Sequence, residues 1–347
     1  MNSKMTIEQF IRRMPKVELH VHLEGSIKPE TLLILAERNN VSLPVYSLDE
    51  IRDWYHFSDF DHFLEVYFAI CSCIRTPDDF YFITSEFLRG QAEQNIKYSE
   101  VIFTPFTHLE HIAFDEQLAA INHAREAAEA SLGVRIGLVP DISRHMRPVE
   151  ESYQIAEWAA GNMHNGIIAL GLGGPEVGNP PEVFREVFER IEPAGLPSLP
   201  HAGETEGPQG IWGAINDLSA VRIGHGVRCL ENPELVRYLR KTQIPLDVCP
   251  TSNVCLGVVP SLAEHPLPKL VDEGLMITIN SDDPPMFGTT LTDEYLRISE
   301  TFGFDITAIK QLVINGIHAS LLLPDAKQAM ENEFRAKSAE LENELGL

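Results

Sequence analysis

Residues 17–26 read Val17-Glu18-Leu19-His20-Val21-His22-Leu23-Glu24-Gly25-Ser26, a β-branched, largely apolar run that stops at a glycine. Such a run, bounded by a turn signal, reads as a β-strand. On a strand, residues i and i+2 face the same way. His20 and His22 therefore project together, as two ligands of one metal ion must. Taken alone, the pair fits a strand with two half-buried histidines equally well.

Seven further runs of this kind follow: Tyr98–Thr104, Val134–Val139, Ile167–Leu172, Pro197–His201, Val221–His225, Leu246–Cys249 and Met276–Asn280. Longer helical patterns separate them, which reads as βα units building a parallel sheet. Eight such strands close a TIM-type (β/α)8 barrel, and 347 residues suit one barrel domain with additions. A short amphipathic helix is expected within residues 1–14, from Ile7, Phe10, Ile11 and Met14 at helical spacing. A terminal helix is expected over 325–346, with Met330, Phe334, Leu341 and Leu345 on one face. Residues 28–96 exceed one crossover helix and must hold several. Their aromatics, Trp54, Tyr55, Phe57, Phe60, Phe63, Tyr67 and Phe68, either fill a core or cover the mouth of the barrel.

Charge narrows the partners. The chain carries 51 acidic and 27 basic residues, a formal net charge of −24. That surface repels phosphate backbones and anionic lipids, so neither nucleic acid nor a membrane is expected. A small neutral or cationic ligand is. The five cysteines, Cys71, Cys73, Cys229, Cys249 and Cys255, contain no C-x-x-C, which speaks against a zinc finger or a disulfide framework. The opening residues are too charged for a signal peptide, and no apolar run has the length of a membrane span. A cytoplasmic protein with reduced thiols is the expectation.

Three more clusters sit beside strand ends: His201-Ala202-Gly203-Glu204, Arg222-Ile223-Gly224-His225-Gly226 and Asn280-Ser281-Asp282-Asp283-Pro284. Each has a bland alternative: a polar strand end, a glycine turn, a solvated acidic turn. Together they share the C-terminal ends of the first, fifth, sixth and eighth strands, where barrel enzymes place their chemistry. Three histidines and an aspartate on that rim form a plausible zinc shell with room for water.

From PKVELHVHLEGSIKPETL to NSDDPPMFGTTLTDEY the chain resembles the adenosine deaminase family of the amidohydrolase superfamily, and the four motifs occur in the family's order. The resemblance implies one zinc ion held by His20, His22, His201 and Asp282. It makes Glu204 the acid that protonates purine N1. It makes His225 the residue that orients and deprotonates the attacking water, and Asp283 the carboxylate that bonds N7. Gly174 would present its N–H to N3, and His22, Glu24, Gly174 and Asp283 would contact the substrate. The implied reaction is hydrolytic deamination of a 6-aminopurine nucleoside, with adenosine expected and the deoxy form allowed.

Two departures concern the 5′ side of the sugar. Many adenosine deaminases carry aspartate where this chain has Glu24, and commonly show G-D-E where it has Gly174-Pro175-Glu176. GLGGPE, HAGETEGP and SDDPPMFGT also look like the branch acting on 6-aminodeoxyfutalosine, an adenine nucleoside with a bulky 5′ extension, which is the alternative expectation. Members that deaminate adenine also carry glutamate at position 24. A binuclear amidohydrolase would place a bridging lysine on the fourth strand, and none occurs from Ile167 through Glu192. A catalytically dead relative would have lost a ligand position or Glu204, and all are present.

Overall fold

The computed structural model describes residues 3–145 and 149–347. Eight parallel strands run in sequence order: β1 (Lys16–His22), β2 (Ile96–Phe103), β3 (Arg135–Ser143), β4 (Leu170–Gly173), β5 (Ser198–Ala202), β6 (Ile223–His225), β7 (Leu246–Val248) and β8 (Ile277–Ile279). A parallel bridge between Val21 and Asp282 joins the last strand to the first. The architecture is the expected (β/α)8 barrel, and each predicted strand has its counterpart.

The largest boundary error is at β3. The apolar run stops before Pro140, whereas the strand continues through Asp141 to Ser143 and pairs Asp141 with Gly171 and Ser143 with Gly173. Proline and an acid look like the end of a strand, but here they lie at the rim. β4 starts three residues late, at Leu170, and Ile167 makes only an isolated bridge to Leu138.

The first helix, α1 (Ser3–Arg13), packs against the helices Leu291–Phe302, Ile306–Ala319 and Pro324–Leu345, and its Phe10 and Ile11, with Met14 just beyond it, are fully buried. Met1 and Asn2 of the predicted N-terminal helix lie outside the described residues. The C-terminal helix, Pro324–Leu345, buries Met330, Phe334 and Leu341 in the same cluster. No described helix is long and apolar enough to cross a membrane.

Between β1 and β2 run four helices: α2 (Pro29–Arg38), α3 (Leu48–Trp54), α4 (Phe60–Cys71) and α5 (Pro77–Glu93). Three begin on side-chain caps. Ser47 accepts from the Glu50 N–H, Asp59 from that of His62, and Thr76 forms a reciprocal capping box with Asp79. The aromatic stripe serves both roles considered above. Tyr55, Phe63 and Tyr67 are buried in the core, while Phe60, Phe63, Tyr67 and Phe68 of α4 line the cavity at the barrel mouth.

Polar groups hold the barrel interior together below that cavity. The buried Arg222 guanidinium donates to Asp247 Oδ2 at 2.6 Å, to Glu100 Oε2 at 2.5 Å and to the Ala319 carbonyl at 2.9 Å. A buried cation is tolerated only when its donors are met in this way.

Candidate active site

The rim that carries the four motifs is also where the barrel closes. Asn280 Oδ1 accepts from the N–H groups of Leu19 at 2.7 Å and His20 at 3.1 Å. The Asp282 N–H donates to His20 O, and the His22 N–H donates to Asp282 O at 2.9 Å. These bonds pull the residues after β8 against β1, so Asp282 meets the two histidines of the first strand. His20 Nε2 and His22 Nε2 lie 3.4 and 3.3 Å from Asp282 Oδ1. His201 Nε2, from β5, lies 3.2 Å from His22 Nε2. Each of these four residues offers one ligand atom, and all four atoms fall within 4.8 Å of one another.

Backbone geometry supports the cluster at a cost. Asp282 (φ 66°) and His225 (φ 63°) both adopt the left-handed region. This is uncommon for residues with a side chain, costs on the order of 1–3 kcal/mol, and concentrates at functional sites. Gly224 is there for space, since a Cβ would sit 2.7 Å from His20 Cε1. Gly25 likewise makes room for the Asp283 carboxylate, whose Oδ1 would lie 1.6 Å from a Cβ. Two glycines of the sequence motifs are therefore seats for neighbouring functional side chains.

His201 Nδ1 faces the Leu172 carbonyl at 3.1 Å. A carbonyl only accepts, so the proton sits on Nδ1 and Nε2 is free to ligate, the usual arrangement at metal sites. Burial, reinforced by neighbouring histidines, drives the His201 pKa well below its usual value. Burial also takes His225 down to about 3 against the pull of Asp282. Burial alone would raise Asp282, but hydrogen bonds from His20 and His22 hold it far below the carboxylate range. His22 shows the opposite balance: burial lowers it, and the Asp283 and Asp282 carboxylates lift it to about 10. Imidazole nitrogens around an ionised carboxylate are a zinc donor set. His20 Nε2 is buried with no hydrogen-bond partner among the described residues, as a nitrogen reserved for a metal would be.

Above this cluster opens a cavity of about 600 Å³ of empty space, part of it continuous with solvent. His22, His201, His225, Glu204, Asp282, Asp283 and Gly174 all line it. Glu204 Oε1 and Asp283 Oδ1 are buried with no hydrogen-bond partner among the described residues, while His225 Nε2 stands 3.6 Å from Glu204 Oε1. Burial raises the Glu204 pKa well above normal, and the Asp282, Glu176 and Asp283 carboxylates push it further. Burial is also the main reason that Asp283 is raised. A raised pKa of this kind suits a buried carboxyl group to proton donation.

Glu24 sits differently. It is fully buried but not part of the cavity lining. Its Oε1 accepts from the Thr104 N–H at 3.0 Å and pairs with His108 Nε2 at 3.1 Å. Burial would raise its pKa, but the His108 contact lowers it.

Four residues that sequence reasoning left without a role stand out. Glu176, noted only as part of Gly174-Pro175-Glu176, accepts from the N–H groups of Gly203 at 2.8 Å and of Glu204 and Thr205 at 2.9 Å. It thereby shapes the turn that carries Glu204. Ser252 and Asn253 lie in the short helix Pro250–Cys255 after β7, a strand that had no motif assigned to it. Ser252 Oγ donates to Asp282 Oδ2 at 2.7 Å, and Asn253 Nδ2 lies 3.4 Å from His225 Nδ1. Asp141 lines the cavity from the overlooked end of β3, its Oδ1 buried and unpartnered among the described residues. An acid inside an apolar strand was its only sequence signal.

Removing the Glu176 carboxylate orphans those three backbone donors and that of Glu206, which also bonds Oε1 at 3.4 Å. Glu176→Ala is expected to cost about 1–3 kcal/mol of stability and to lower kcat by loosening Glu204. Chemical denaturation together with steady-state turnover would show this. An unchanged denaturation midpoint and unchanged kcat would remove Glu176 from the positioning role.

Known proteins resemble the chain in sequence and fold. The family model described as adenosine deaminase matches residues 15–337. An aminodeoxyfutalosine deaminase of Streptomyces coelicolor is 40% identical over 337 residues, covering 96% of this chain and 87% of its own length. An adenine deaminase of Chlorobium phaeobacteroides is 38% identical over 324 residues, covering 93% and 96% respectively. Among solved structures, adenine deaminase from Arthrobacter aurescens superposes with a TM-score of 0.89 at 33% identity, covering 93% of this chain and 98% of that one. An amidohydrolase from Burkholderia ambifaria with bound zinc gives a TM-score of 0.90 at 27% identity, covering 98% and 95%. With barrel, motifs and relatives in agreement, the chain belongs to the adenosine deaminase family and is a hydrolytic deaminase acting on a C–N bond.

Proposed function

We propose that the chain binds one zinc ion through His20, His22, His201 and Asp282 and hydrolytically deaminates a 6-aminopurine nucleoside, preferring one extended at the 5′ position of 6-aminodeoxyfutalosine type. The observation that carries the reaction is the pairing of that buried ligand cluster with two carboxyl groups, Glu204 and Asp283, each keeping one buried oxygen without a hydrogen-bond partner among the described residues, in one cavity. Zinc in this set supplies hydroxide near neutral pH by lowering the pKa of water. Glu204, held protonated, gives its proton to purine N1 and makes C6 electron-poor. Asp283 bonds N7 and turns the base. His225 orients the water, and Gly174 receives the N3 edge. Attack at C6 and loss of ammonia leave a 6-oxopurine.

Two observations favour a 5′-extended nucleoside over adenosine. Glu24 is absent from the cavity lining and its Oε1 is engaged by Thr104 and His108, which leaves only Oε2 without a hydrogen-bond partner among the described residues, so the side chain is not set out in the cavity for a bare 5′-hydroxyl. The Streptomyces relative shares its identity over nearly the whole chain. Free adenine is the second reading, favoured by the adenine deaminases among the relatives and solved structures.

A panel of adenosine, 2′-deoxyadenosine, adenine and 6-aminodeoxyfutalosine separates these readings. The 5′-extended nucleoside is expected to have the highest kcat/KM, because contacts remote from C6 position it against the nucleophile. Glu24→Asp is expected to reduce that preference and to be mild or favourable for adenosine. Faster turnover of free adenine than of any nucleoside would overturn the nucleoside reading. Elemental analysis is expected to give one zinc per chain. A second grouping, His225, Cys249 and Asp282, shares Asp282 with the first, so two tightly bound ions would contradict the mononuclear proposal.

A further inference from the structure

The helix Leu267–Asp272 begins with a backbone donor that dictates the tautomer of a histidine two residues away. First-turn N–H groups of a helix have no partner inside it. That of Leu267 donates to His265 Nδ1 at 3.0 Å. A backbone N–H is never an acceptor, so His265 Nδ1 keeps its lone pair and the ring proton is on Nε2. His265 Nε2 lies 3.1 Å from the Asn253 side-chain oxygen, to which it donates. The Asn253 amide is thereby oriented, and its NH2 group points at His225 Nδ1, 3.4 Å away. His225 Nδ1 must accept. All three side chains are buried.

We infer that His265 and Asn253 are positioning residues that lock His225 as its Nε2–H tautomer, so that His225 donates a hydrogen bond into the active site and does not take a proton there. This deepens the proposed function and rests on it for the identity of the acceptor. A ring that accepts at Nδ1 carries its one proton on Nε2. Its Nε2 stands between Glu204 Oε1 at 3.6 Å and Asp282 Oδ2 at 3.9 Å, on the cavity wall. A fixed N–H there meets the oxygen that attacks C6 and stabilises the negative charge it brings. A preorganised donor of this kind needs no rearrangement as the reaction proceeds. The family resemblance gives His225 the opposite task, deprotonation of the water.

The test reads the tautomer directly. Nitrogen-15 NMR of histidine-labelled, zinc-loaded protein without substrate distinguishes a protonated ring nitrogen from one with a free lone pair, and His225→Ala assigns the signal. The wild type is expected to show His225 as Nε2–H. Asn253→Asp replaces the donor with an acceptor and is expected to move the proton to Nδ1, with kcat falling ~10²-fold, as for loss of a preorganised donor, and KM changing little. His265→Ala frees the amide to turn and is expected to give a mixture of tautomers. An Nδ1–H signal in the wild type overturns the inference, as does a folded Asn253→Asp protein with an unmoved signal or unchanged kcat. Because the signal is read without substrate, it stands apart from the deaminase proposal, which fails separately if no 6-aminopurine is turned over.

Discussion

His22→Ala is expected to abolish zinc binding and reduce deamination by roughly 10³-fold or more. A catalytic metal contributes several kcal/mol of charge stabilisation besides the nucleophile, and each 1.36 kcal/mol is a factor of ten. The geometry explains why one ligand carries so much. His22 Nε2 is within 3.2 Å of His201 Nε2 and 3.3 Å of Asp282 Oδ1, so it is central to the set. His20→Ala is expected to behave in the same way. Elemental analysis of the purified variants, with circular dichroism to confirm folding, checks both halves. A variant that keeps stoichiometric zinc would show that the ion is held elsewhere.

Glu204→Gln is expected to keep the zinc and the fold while losing ~10²–10⁴-fold in kcat, the usual contribution of a positioned general acid. The amide can hydrogen-bond N1 but cannot protonate it. Glu204 Oε1 has no partner among the described residues to lose, and glutamine preserves the side-chain volume, so stability is expected to change little. The Glu204 N–H, held by Glu176 Oε1 at 2.9 Å, is untouched by the change. Turnover near that of the wild type, with zinc intact, would remove Glu204 as the proton donor.

The barrel was legible because its signal is repeated. Eight β-rich runs in rhythm survive an error in any one of them, and those at β3 and β4 misplaced ends without changing topology. The candidate metal cluster was legible for a related reason. Ligation needs imidazole and carboxylate groups at strand ends, and His20, His22, His201 and Asp282 all fall there. Residues that act through the backbone, or through another side chain, leave no such mark. Glu176 holds a turn through four N–H groups, and Ser252 and Asn253 brace Asp282 and His225 from the short helix after β7, where no sequence motif was assigned.

By itself, then, the sequence determined the fold class, the metal-binding residue types and the reaction class, because all three follow from periodicity and from chemistry-bearing residues recurring at strand ends. The tertiary structure alone decided which groups are free to react. Asp282 and His225 reach the site through left-handed backbone that no propensity predicts. Glu24 is withdrawn into a pair with His108, 84 positions along the chain. The protonation of Glu204 and the tautomer of His225 are set by burial and by neighbours from other strands. Those neighbours are brought together by closure of the barrel, and a linear sequence carries no record of which side chains meet across it.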